Sequence, residues 1–167
     1  MGVKWKTTKN NFPKMQASIA QLNGKKVSVG VLGGGENAWL ASIHEYGCKI
    51  QVTDKMRAYL HSTGLHLKPT TTHITIPERA FLRNGYDESK DDVISKAEGV
   101  IGDVIGGSMS SSQFFEMIGL LMKSRIQDYA RDLDSPPNHP YTIEKKGSSN
   151  PLVSSGDMIG AIDYKVE

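Results

Sequence analysis

SSSQFFEMIGLLMKSRIQDYARDL, residues 110–133, is the stretch that decides the fold. Ser110 with Gln113 three residues on has the spacing of a capping box, in which each side chain satisfies a backbone N–H that a helix start leaves unpaired. Phe114, Phe115, Ile118, Leu121, Met122, Ile126, Tyr129 and Leu133 then recur at helical spacing as one apolar stripe. The stripe predicts a core helix against which the other elements lay their apolar faces.

Toward the N-terminus, Val93, Ile94, Ala97, Val100, Ile101, Val104 and Ile105 carry the same period through residues 87–105, and Gly106 and Gly107 end it. Pro77 is expected to start the helical stretch before this, with Phe81 and Leu82 facing inward from the next turn. Residues 12–23, with Met15, Ile19 and Leu22, predict a short amphipathic helix that Gly24 ends. Val27, Val29 and Val31 alternate with Ser28 and Gly30 in residues 26–32, which predicts a strand. Residues 33–35 form a turn, and residues 36–46 resume helical spacing through Trp39, Leu40 and Ile43 before stopping at Gly47.

Ile50 with Val52, and Ile74 with Ile76, mark two short strands expected to pair antiparallel. Between them Asp54 is expected to cap a short helix carrying Met56, Tyr59 and Leu60, ended by Gly64 and followed by Leu65 and Leu67. Connections longer than about 12 to 15 residues are uncommon in compact domains and usually functional, so this excursion predicts a contact arm. Beyond the core helix, residues 135–151 are polar and proline-rich with no period, and residues 159–166 close the chain with a strand carrying Ile162, Tyr164 and Val166. The fold class expected is α+β. A single domain over 1–167 packs a small antiparallel or mixed sheet on two long helices, with an inserted hairpin arm at 49–77, an extended strap at 135–151 and a flexible basic start at 1–11.

At 167 residues the chain has the length of one ordinary domain. No apolar run approaches the roughly 18 to 20 residues that cross a bilayer, and the opening MGVKWKTTKN has no signal-peptide core, so cytosolic synthesis is expected. One cysteine, Cys48, excludes an internal disulfide. The net charge of +2 is too small to hold a long polyanion by itself. Its layout is uneven, with six lysines and no acid in residues 1–30, and five carboxylates against one lysine in residues 91–120. Opposed patches of this kind suit contact between copies.

The motifs of the common chemistries are incomplete in this sequence. Glycines 33–35 stand between a strand and a helix, but neither GxxxxGK[ST] nor GxGxxG is present, and a tight turn is the expected reading. His44 and Glu45 open like a zinc-protease helix, yet Cys48 stands where the second histidine of HExxH belongs. His61, His66, His73 and His139 have no ligand spacing, and no serine sits in GxSxG. Asp91 with Asp92, and Asp132 with Asp134, read as solvated helix faces. Trp5 among the early lysines falls short of the aromatic set that stacks single strands. No catalytic residue, metal or cofactor is expected.

Four stretches in order carry a resemblance: WLASIHEYG (39–47), IPERAFLR (76–83), IGLLMKSRIQ (118–127) and PPNHPYTIEKKGSSNPLVSSGDMIGAIDYKV (136–166). Together, over residues 27–166, the chain resembles the neck or tail-completion proteins of tailed bacteriophages and prophages, the small head-to-tail joining and virion-morphogenesis family. The resemblance implies an assembly protein that forms a homo-oligomeric ring, expected to hold six copies, at the head–tail junction of the virion and in the host cytoplasm during assembly. Its partners would be the adjacent connector or stopper and the tail-tube or terminator proteins, with non-specific contact to phage DNA and no membrane. A tail terminator ring capping the tube is the alternative within this class. A DNA-binding accessory protein using the basic first thirty residues, or a small hydrolase using His44 and Glu45, are the alternatives of other classes.

On this reading Met56, Arg57, Tyr59, Leu60 and Leu65 of the arm are candidates for contact with an adjacent ring. Arg79 and Arg83 of IPERAFLR are interface candidates, though a packing role for that stretch is preferred. The strap, with Tyr141, Lys145 and Lys146, is expected to lie on a neighbouring copy or on its own helical layer; fully extended, its residues 136–149 would reach about 45 Å. Lys4, Lys6, Lys9 and Lys14 are candidates to face DNA in the ring lumen.

Overall fold

A computed structural model describes residues 10–167. Its centre is the pair of long helices α4 (Phe81–Gly106) and α5 (Ser111–Asp132). The capping box at the start of α5 is formed: Ser110 Oγ accepts from the Gln113 N–H at 3.2 Å and Gln113 Oε1 accepts from the Ser110 N–H at 3.0 Å. The stripe predicted for this helix faces the core, with Phe114, Met122 and Ile126 buried, joined by Ala130. Gly107 leaves α4 in the left-handed conformation (φ 77°, ψ 21°) that lets the chain reverse into α5. Near the far end the two helices approach closely, because a Cβ on Gly85 would stand 3.3 Å from the Ile126 Cα.

The elements before this pair are α1 (Phe12–Leu22), β1 (Val27–Val31), α2 (Glu36–Tyr46), β2 (Cys48–Gln51), α3 (Asp54–Ser62) and β3 (His73–Ile76). After it come α6 (Pro140–Lys146), α7 (Asp157–Gly160) and β4 (Ile162–Val166). The fold is α+β, and the described residues form two small antiparallel sheets in one domain. β1 pairs with β4, so that the first strand and the last are bonded in register from Val27 with Val166 to Val31 with Ile162. β2 pairs with β3 as expected, Ile50 opposite Ile74 and Cys48 opposite Ile76.

The β1–β4 sheet lies on α5. Ile162 is fully buried there, and Tyr164 lays its ring against Gly119, where any side chain would overlap it. The Tyr164 hydroxyl donates to Glu116 Oε2 at 2.6 Å, which fixes the ring over that glycine. Phe81 and Val93 of α4, Ala41 of α2, and Leu152, Met158 and Ile159 near the C-terminus complete the core. Each large side chain buried in this way contributes about 1.5 to 3 kcal/mol. Among the described residues no helix is long and apolar enough to cross a membrane.

Four local expectations are corrected. The helix expected at Pro77 starts at Phe81 instead, because Ala80 (φ −57°, ψ 63°) makes a γ-turn in which the Phe81 N–H donates to the Arg79 carbonyl. Thr53, not Asp54, caps α3: its hydroxyl accepts from the Met56 N–H at 3.2 Å, leaving Asp54 in the first turn, where its charge suits the helix dipole. The strap is not extended throughout, since Pro140 at the first turn and left-handed Gly147 enclose α6. Residues 157–160 form the turn α7, so the last strand begins at Ile162.

Gly119→Ala is expected to lower the unfolding free energy by about 1 to 3 kcal/mol through overpacking against Tyr164. Urea denaturation checks this, and a Tyr164→Ala background should remove most of the added penalty.

Candidate functional site

The stretches HEYG and IPERAFLR meet at the end of α2. Gly47 has φ 71°, and a Cβ there would stand 2.9 Å from the Glu78 nitrogen and 3.0 Å from the Ile76 carbonyl oxygen, so the two segments cross only over a glycine. Just before it, Glu45 is 3% exposed. Its carboxylate accepts from the Leu82 N–H at 2.9 Å, the Arg83 N–H at 3.1 Å and the Arg83 Nε–H at 2.8 Å. Glu45 therefore caps α4 from another helix, and its negative charge stands at the positive end of the α4 dipole.

Arg83 closes this unit from outside. Its Nη2 donates to the Glu45 carbonyl at 2.8 Å and to Glu78 Oε1 at 2.7 Å, and its guanidinium lies 5.0 Å from the centre of the Tyr46 ring. These bonds to Glu45 and Glu78 hold its pKa above the ordinary arginine value.

Arg79 points the other way and is 4% exposed. Its Nε donates to the Pro136 carbonyl at 2.8 Å, and its Nη2 donates to the Pro137 carbonyl and to Asn138 Oδ1, each at 3.2 Å. Arg79 is thus the anchor of the strap on its own chain. Its Nη1 stands 3.3 Å from His44 Nδ1, so the neutral imidazole accepts there. Burial, then the Arg79 charge, then that of Lys146, push His44 down to a pKa of about 4.

The rest of the strap is tied down by polar contacts of the same kind. Lys146 Nζ donates to the Asn150 and Pro151 carbonyls, and burial together with Arg79 lowers its pKa. Asn150 Oδ1 accepts from the Leu152 and Val153 N–H groups at 2.8 and 3.0 Å. The Tyr141 hydroxyl donates to Thr63 Oγ1 at 2.7 Å, joining the strap to the arm, while Lys145 is exposed with its Nζ 5.6 Å from the Tyr141 ring centre. An open cavity of about 550 Å³ lies between arm and strap, lined by Leu65, Leu67, Ile74, Arg79, Pro137 and Tyr141.

Within the arm, Arg57 donates to the carbonyls of Lys68 at 2.9 Å and Thr71 at 2.7 Å, which folds the return segment onto α3. Met56, Leu60 and Leu65 are half-buried, and Tyr59 is exposed. Lys14 lies along Gly107, whereas Lys4, Lys6 and Lys9 fall outside the described residues. Asp92 is paired with Lys96 at 2.9 Å and Arg125 at 2.8 Å, which lowers its pKa.

His44 and Glu45 do not present a base and an acid to one point: the imidazole faces Arg79 and the carboxylate is spent on α4. The sequence signal for this junction was only a charged pair before a glycine. The roles of Glu45 and Arg79 depend on residues 37 and 57 positions away in the chain, and Asn150 also donates through its Nδ2 to the Arg131 carbonyl, 19 positions before it, at 2.6 Å. Comparison of the chain with protein-family models, curated proteins and solved structures gives no match.

Glu45→Ala is expected to cost about 2 to 4 kcal/mol, since it strips the cap from α4 and leaves the Leu82 and Arg83 N–H groups without their acceptor, while Arg83 keeps Glu78; chemical denaturation measures it. The depressed His44 pKa sets a second expectation. Near pH 6.5 the unfolded chain takes a proton that the folded protein refuses, so stability is complete above that pH and declines as pH falls toward 4. With the imidazole partly in solvent, the loss should be on the order of 1 to 2 kcal/mol, and His44→Gln should flatten it in unfolding curves recorded across that window.

Proposed function

We propose that this chain is a structural virion protein of a tailed phage, forming a homo-oligomeric ring at the head–tail junction that completes the tail and joins it to the head. The observation that carries the reading is the direction of its aromatic side chains. Phe12, Trp39, Tyr46, Tyr59 and Tyr86 stand on four different helices, α1 to α4, each at least half exposed. Large apolar side chains left in water across several faces suit a subunit with several neighbours, above, below and beside it.

The four stretches that resemble the neck and tail-completion proteins also lean on one another. Residues 39–47 cap the helix begun by 76–83, and Arg79 anchors the start of 136–166. That interlocking supports reading the resemblance as a property of the whole framework. The arm carries Tyr59, a contact residue for an adjacent ring, while Arg57, Arg79 and the strap serve the subunit's own fold. Surface shape does the work in this account, and no reaction is assigned.

A phage lacking this gene is expected to accumulate filled heads and separate tails, and purified protein should restore joined, infectious particles. Complementation with Tyr59→Ala should lower infectivity at least tenfold while the protein melts as the wild type does, because Tyr59 is 65% exposed. Normal joining without the gene product would overturn the reading.

A further inference from the structure

α1 sits on the molecule with its amphipathic face reversed. Ser18 and Leu22 are its half-buried residues, Lys14 lies along Gly107, and Gln21 accepts a bond from Ser111 at 3.4 Å. The side that meets the body is therefore largely polar. Phe12, Met15 and Ile19, at spacings of three and four, turn outward and are 69%, 38% and 52% exposed. A surface helix ordinarily buries such a stripe, and spacings of i, i+3 and i+7 are the anchors of helix-in-groove recognition.

The same chain has an apolar groove of about 470 Å³ that α1 does not line. Val27 and Val29 of β1, Leu82, Tyr86 and Ile94 of α4, and Ile118 of α5 border it. Tyr86 and Ile94 keep half of their surface in water (50% and 54%). Among the described residues β1 pairs with β4 on one side, and no strand lies along its other edge. The charged residues of the groove's lining, Arg83 and Lys90, are bonded to carboxylates of their own chain, Arg83 to Glu45 and Glu78 and Lys90 to Asp87, so the groove suits an apolar occupant.

We infer that the outward stripe of α1 in one copy seats in the β1–α4 groove of a second copy, Phe12, Met15 and Ile19 entering it. Stripe and groove lie at different places along α4, α1 over its C-terminal end and the groove over its N-terminal half. Each copy thus offers one half of the contact and accepts the other, and the exchange runs from copy to copy until it closes. The stripe spans about 10 Å at 1.5 Å per residue, short enough to lie against the roughly 18 Å of α4 between Leu82 and Ile94. The inference deepens the ring reading by naming a lateral contact. Its test reads association of the purified chain and does not involve a virion, so the two stand or fall separately.

The experiment uses the full chain with Cys48→Ser. Chains carrying Ile19→Cys, mixed with chains carrying Ile94→Cys under mild oxidation, should give a disulfide-linked mixed dimer, and neither variant alone should do so. Phe12→Ser with Ile19→Ser, and separately Ile94→Lys, should reduce the mass in light scattering to that of a monomer. Their thermal melts should stay within a few degrees of the parent, because every replaced side chain is exposed. A parent that is monomeric at all concentrations reached overturns the inference. So does an oligomer that survives both variants, a link from Ile19→Cys to Ile19→Cys that sets α1 against α1, or capture of the groove by some other segment.

Discussion

A single buried carboxylate organises the middle of this protein. Glu45 is almost wholly withdrawn from water, an expensive place for a charge, and it is tolerated because three N–H groups of Leu82 and Arg83 converge on it. Those donors exist only if α4 begins at Phe81 and arrives at the correct angle. The carboxylate thereby specifies both the start of the longest helix and its crossing with α2. Gly47 and the γ-turn at Ala80 serve the same junction, one by permitting close approach and the other by aiming the chain.

Around this joint the arginines divide the labour. Arg83 neutralises Glu45 from the solvent side, Arg79 gathers the carbonyls of the strap, and Arg57 gathers those of the arm. The planar, multiply donating guanidinium suits this role, because carbonyl oxygens in irregular backbone have no ladder to join. The consequence for function is a narrowing. Residues that looked available for partners are engaged in holding two long loops, and the free surface passes to apolar side chains such as Phe12, Ile19 and Tyr59.

The balance between inside and outside supports reading the chain as an assembly subunit. Its core is ordinary: two helices, a two-stranded sheet and a glycine seat for Tyr164. Its surface is less so, with a helix that faces its polar side inward and a groove that leaves Tyr86 and Ile94 half in water. Both features are costly for an isolated subunit and cease to be so once apolar faces meet.

Much of the fold was legible beforehand because it depends on local periodicity. The capping box at Ser110, the stripe of α5, the alternation of β1 and β4, and the glycine stops at 24, 47, 64 and 107 are short-range patterns, and the chain obeys them. What could not be read was decided by contacts between distant residues. Pro77 has the chemistry to begin a helix, yet a carboxylate 37 positions before Leu82 moved that beginning to Phe81. Arg79 and Arg83, four residues apart in one motif, serve opposite sides of the junction. Met15 and Ile19 follow the amphipathic pattern correctly, but periodicity tells only that a helix has an apolar face. Which way that face turns depends on what the rest of the chain places beside it, and only the packed structure contains that information.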